Sequence, residues 1–101
     1  MYQLLDGPAT QGAISVTDAV VAEVKVGSSP LSERKVITLQ GDGKFYVYFG
    51  NGVAAPSAPD VIADGFIQYK DAKESYEAGE TQRVYILALE GTVEVRISER
   101  A

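Results

Sequence analysis

The sequence predicts an all-β chain, an antiparallel β-sandwich of jelly-roll-like form, with room for one short helix around 71–78. Three observations point there. Arg34 to Gly50 and Arg83 to Ser98 each hold two runs of alternating apolar and polar residues on either side of a glycine-bearing loop, and a period of two marks half-buried strands. Shorter β-branched runs elsewhere are separated by Gly, Pro, Asn and Asp, the residues that favour turns. Helical and strand patterns do not alternate regularly, which argues against a parallel sheet.

With 101 residues and 46% apolar content, the chain has the size of one domain and material for one core without disulfide or metal. Residues 1–12 read as an N-terminal arm. Tyr2, Leu4 and Leu5 precede Asp6-Gly7-Pro8, a turn-forming sequence. Apolar residues in a segment too short to pack alone suit docking on a neighbouring subunit. Residues 13–101 then form the single sandwich domain.

Within that domain, Ile14 and Val16 suggest a short strand that ends near Thr17-Asp18. Val20, Ala22, Val24 and Val26 alternate with Val21, Glu23 and Lys25 as a second strand. The valines weigh against a helix here, because branched side chains lose rotamer freedom in one. In Arg34 to Gly50 the loop Gly41-Asp42-Gly43, with Gly43 left-handed, predicts a hairpin. It would pair Leu39 with Phe45, Ile37 with Val47 and Lys35 with Phe49. Ile37, Leu39, Phe45, Val47 and Phe49 then share one face, and Val36, Thr38, Tyr46 and Tyr48 the other. A loop of Asp42-Gly43 alone would slip the register by one and send side chains to the wrong face.

Ala54 to Asp64 holds two prolines and reads as an irregular crossover, able to connect two sheets. Gly65 to Tyr69 reads as a short strand anchored by Phe66. Asp71 to Glu80 fits a short helix capped by Asp71 and ended by Gly79, or a strand around Ser75-Tyr76. The last hairpin joins Arg83–Leu89 to Thr92–Ser98 through Glu90-Gly91. It pairs Ala88 with Val93, Ile86 with Val95 and Val84 with Ile97 on a wholly apolar face, and sets Tyr85 and Leu87 on the other.

The chain carries little chemistry. It has no histidine and no cysteine, so a histidine-based triad, thiolate catalysis and the usual zinc sites are ruled out for these residues. Paired acids, Asp60 and Asp64 in the crossover or Glu94 on a strand, could serve a glycosidase, but Asp60 and Asp64 lie beside Pro59 and Gly65, where aspartate commonly serves turn geometry. Asp42 alone is too little for calcium. The chain is therefore read as a non-enzyme without cofactor. A net charge of −5, with basic residues scattered along the sequence, disfavours nucleic acid. No apolar run approaches the ~18 residues of a membrane helix, and Met1 to Asp6 lacks the basic start of a secretory signal.

The second faces of the two hairpins do call for explanation. Tyr46 and Tyr48 form one patch of mixed polarity, and Tyr85 and Leu87 part of another. Either the crossover or the other sheet covers them, or they serve as a subunit interface, where tyrosine supplies apolar area with a hydrogen-bonding tip.

Taken in order, Arg34-Lys35-Val36-Ile37-Thr38-Leu39-Gln40, Val47-Tyr48-Phe49-Gly50, Val84-Tyr85-Ile86-Leu87-Ala88 and Gly91-Thr92-Val93-Glu94-Val95 resemble small β-sandwich virion proteins of tailed bacteriophages. The likeness spans roughly Ile14 to Ile97 and rests on short strand motifs. It implies a non-enzymatic structural protein of the virion, assembled in the host cytoplasm: a capsid decoration or cement protein, or a neck or tail accessory. It also implies virion proteins as partners and a homo-oligomer, often a trimer in such proteins. Tyr2, Leu4, Leu5, Tyr46, Tyr48, Tyr85 and Leu87 are the expected interaction surface. A carbohydrate- or cell-surface-binding module, with Tyr46 and Tyr48 as stacking platform, is the rival reading.

Overall fold

Alternation decides which side of a strand is buried, and the turns between strands decide which neighbour it meets. A computed structural model describes residues 9–50 and 54–101. The elements run β1 (Ala9–Thr17), β2 (Ala22–Glu23), β3 (Val36–Gly41), β4 (Phe45–Phe49), α1 (Ala58–Asp64), β5 (Phe66–Gln68), β6 (Lys73–Glu77), β7 (Val84–Ala88) and β8 (Thr92–Arg100). They form two four-stranded antiparallel sheets, β1-β8-β3-β6 and β2-β7-β4-β5, packed face to face. The pairings nest, β1 with β8, β2 with β7, β3 with β6 and β4 with β5. Such nesting in two sheets is the jelly-roll arrangement.

The faces follow the alternation. Ile37, Leu39, Phe45, Val47, Val84, Ile86, Val93, Val95 and Ile97 are all buried in one cluster between the sheets, with Val16 and Val24. Removing each large aliphatic or aromatic side chain from water contributes on the order of 1.5–3 kcal/mol. The pairing differs from the expectation. β3 and β4 lie in different sheets, and so do β7 and β8, so neither is a hairpin. A hairpin and an arch between sheets bury the same alternate residues, and alternation cannot tell them apart. Close approach settles the first arch: a Cβ on Gly41 would lie 2.7 Å from the Phe45 ring, and one on Gly43 would lie 2.9 Å from Val93. Gly43 is needed for room and not for a left-handed backbone. That conformation belongs to Gly91, at φ 65°.

Other elements also depart from expectation. Ala9 to Gly12, read as the end of the arm, are the first residues of β1; Tyr2, Leu4 and Leu5 lie outside the described residues. The helix is at Ala58–Asp64, inside the crossover read as irregular, and of the two readings of 71–80 it is the strand around Ser75-Tyr76 that forms, as Lys73–Glu77. Ser57 caps α1 reciprocally with Asp60, and Pro59 sits in the first turn, where its missing N–H is harmless. At 73–77, helix propensity yields to pairing with β3 along one edge of the sheet.

The second strand, expected over Val20 to Val26, is only Ala22–Glu23, and a buried ion pair takes up the backbone that follows it. Arg34 Nη1 lies 2.7 Å from Glu99 Oε2, and neither side chain has more than 1% of its surface exposed. Arg34 also donates to the carbonyls of Val24, Ala78, Gly79 and Gln82. Glu99 accepts the N–H groups of Val26 and Leu31. One guanidinium and one carboxylate thus tie the loop after β2, the loop after β6 and the end of β8 together. No buried side-chain nitrogen or oxygen among the described residues lacks a partner.

Breaking such a pair strands the remaining charge. Arg34→Met or Glu99→Gln alone should cost about 3–5 kcal/mol of unfolding free energy. Arg34→Met combined with Glu99→Leu should cost less than the two summed. Urea unfolding followed by circular dichroism measures both, and a single variant as stable as the parent chain would refute the assignment.

Candidate functional site

The two tyrosine-bearing patches, expected on separate hairpins, lie on neighbouring strands of one sheet. Tyr46 lies opposite Leu87, and Tyr48 opposite Tyr85, on the outer side of β4 and β7. The helix packs on this same side of the sheet. Val61 of α1 and Leu87 have no exposed surface, and Tyr85 keeps 8%. Tyr46 and Tyr48 are half-buried. The chain's own crossover therefore covers much of this face, and the burial that a tyrosine- and leucine-rich outer face demands is met inside the chain.

The open aromatic surface is elsewhere, along the sandwich edge where β5 of one sheet faces β6 of the other. The rings of Phe49, Phe66 and Tyr76 form a triangle with centroids 5.9, 5.8 and 5.9 Å apart, within the range of favourable aromatic contact. Phe66 is 44% exposed and Phe49 is 37% exposed. Phe49 was expected in the core. It points inward as its alternation requires, but the sandwich ends there and leaves the ring half-covered.

A polar clamp holds this edge. The buried Gln68 side chain donates to the carbonyls of Leu39 and Ala72 and accepts the Tyr76 hydroxyl at 2.9 Å. It links β5 to β3 and β6 across the gap between sheets. Burial, with the Glu74 carboxylate adding to it, raises the Tyr76 phenol above the ordinary tyrosine value.

A second surface lies on the outer face of β1, β8, β3 and β6. A shallow groove there is lined by Gln11, Thr38, Gln40, Lys73, Arg96 and Arg100, among others, and by no carboxylate. None of these cations belongs to an ion pair seen among the described residues. Basic residues scattered in sequence are thus gathered in space, because β8 and β6 flank β3 and carry them on the same face.

Of the acids considered for catalysis, Asp60 and Glu94 have structural partners, as does Asp42, considered for calcium. Asp60 completes the cap of α1, Glu94 accepts the Ser15 hydroxyl, and Asp42 accepts the Glu94 N–H. No group of three or more potential metal-binding side chains occurs among the described residues. Comparisons with protein families, curated proteins and solved structures find no match to this chain.

The clamp makes a titration testable. Tyr76 should ionise at higher pH than an exposed tyrosine, so its contribution to stability is present below the unfolded-state pKa and lost as pH rises through the folded value. Tyr76→Phe should remove that late step from the tyrosinate absorbance curve. It should also cost about 1 kcal/mol at neutral pH, since the Gln68 acceptor loses its donor. An unchanged absorbance curve would contradict this placement.

Proposed function

We propose that this chain is a non-catalytic structural module that attaches to a larger protein assembly through the Phe49–Phe66–Tyr76 edge. The observation that carries the reading is that edge itself. Large aromatic rings held by a buried hydrogen-bond clamp, yet left half-open, match the rigid anchors that dominate protein interfaces. The resemblance to small virion proteins of tailed bacteriophages directs it toward a decoration or cement role on a capsid, with a neck or tail accessory as the alternative position. Residues without histidine or cysteine and acids engaged in caps and turns fit a binding role better than a catalytic one.

The glycan reading relied on Tyr46 and Tyr48 as a stacking platform. The crossover helix now packs on that sheet face, which weakens it. A double variant, Phe49→Ser with Phe66→Ser, separates the two. Co-sedimentation with purified phage particles should carry the parent chain to the pellet and leave the variant in the supernatant, and a glycan array should stay blank for both. Retained sedimentation of a folded double variant, or binding of the parent chain to the array, would overturn the proposal.

A further inference from the structure

An open sheet edge exposes a row of unpaired N–H and C=O groups, and proteins usually blunt such edges by shortness, charge or proline. Three of the four edges here are blunted. β2 has two residues and β5 three. β6 carries Lys73, Glu74 and Glu77 among its five residues. β1 is the exception: nine residues, Ala-Thr-Gln-Gly-Ala-Ile-Ser-Val-Thr, without a charge or a proline. Its only strand partner among the described residues is β8.

The register determines what the free edge presents. Asp18 N–H donates to Gly91 C=O just past the β1–β8 ladder, whose pairs continue as Thr17 with Thr92 and Val16 with Val93. Hydrogen-bonded and non-bonded pairs alternate along an antiparallel ladder. Thr10, Gly12, Ile14 and Val16 therefore spend their backbone groups on β8. Ala9, Gln11, Ala13, Ser15 and Thr17 direct theirs outward, with small or uncharged side chains that are mostly exposed.

We propose that β1 pairs with β1 of a second copy, antiparallel about a two-fold axis at Ala13. That register sets Ala13 opposite Ala13, Gln11 opposite Ser15 and Ala9 opposite Thr17. Every outward backbone group finds a partner, giving about ten main-chain hydrogen bonds. No like charges meet across the axis. The two sheets become one, ordered β6-β3-β8-β1-β1-β8-β3-β6, and the dimer carries an aromatic edge at each far end. A second copy suits this edge because the edge is its own complement: its outward residues occur at odd positions symmetric about Ala13. The proposal is independent of the aromatic edge, which lies on the opposite side of the sandwich.

Equilibrium sedimentation of the full chain tests it, with the parent expected at twice the monomer mass. Ala13→Lys sets two ammonium groups opposite each other and should weaken the dimer about tenfold or more, with circular dichroism unchanged because the side chain lies on the exposed face, where it meets only the exposed Arg96 of β8. Ala13→Cys supplies the sole cysteine and should form a disulfide-linked dimer on oxidation, since directly opposed residues are about 5.5 Å apart at Cα. Ala9→Cys, opposite Thr17, should not. A monomeric parent, a trimer, an Ala13→Lys variant that stays dimeric, or equal cross-linking at both cysteine positions would each overturn it. If the parent is monomeric and Ala13→Lys abolishes sedimentation with particles, the edge receives a strand from the partner instead.

Discussion

The Arg34–Glu99 pair is the contact that the two sheets share at one end of the sandwich. A guanidinium has five donors in a fixed plane, and here they reach Glu99 and four loop carbonyls. Those carbonyls come from the segments after β2 and after β6, which lie at the ends of two different sheets. Burying an unpaired charge would be very costly, so the loops have one arrangement that satisfies it. The pair acts as a specifier of loop position.

The sandwich edge formed by β5 and β6 is organised differently. There Gln68 does with neutral groups what Arg34 does with charge, joining three strands through its amide. The resulting edge is rigid but not sealed, and its aromatic rings stay half-open. A rigid apolar edge on a small acidic module is suited to contact with another protein. Placing it away from β1 leaves the chain two separate sides with different chemistry, backbone on one and aromatic on the other.

What could be read in the residues was the burial pattern. Ile37, Leu39, Phe45 and Val47, and the Val84–Ile97 set, alternate so regularly that their core positions follow from period alone. Pairing did not follow, because an arch and a hairpin impose the same alternation. The helix at Ala58–Asp64 had a visible signal, Ser57 three residues before Asp60 with Pro59 between, but the prolines read first as breakers. Glu99 too was visible in principle: continuing Val93, Val95, Ile97 by two places puts it on the buried face. Its partner was not, since Arg34 lies before its strand and meets Glu99 only through tertiary structure. For the candidate site, Phe66 is legible only as the anchor of a short strand, and its neighbours Phe49 and Tyr76 come from distant parts of the chain and meet only when two sheet edges are brought together.

Nested pairing has a temporal side. Among the described residues, β4 and β5 are the only consecutive strands that pair in the same sheet. The first strand to leave a ribosome must wait, unpaired, until the last has emerged. Long loops must close before the contacts that reward them exist, which slows folding. During that wait the uncharged β1 segment is exposed on both sides, so crowding of nascent copies, and any chaperone that shields them, should matter more to the yield of this chain than its modest size suggests.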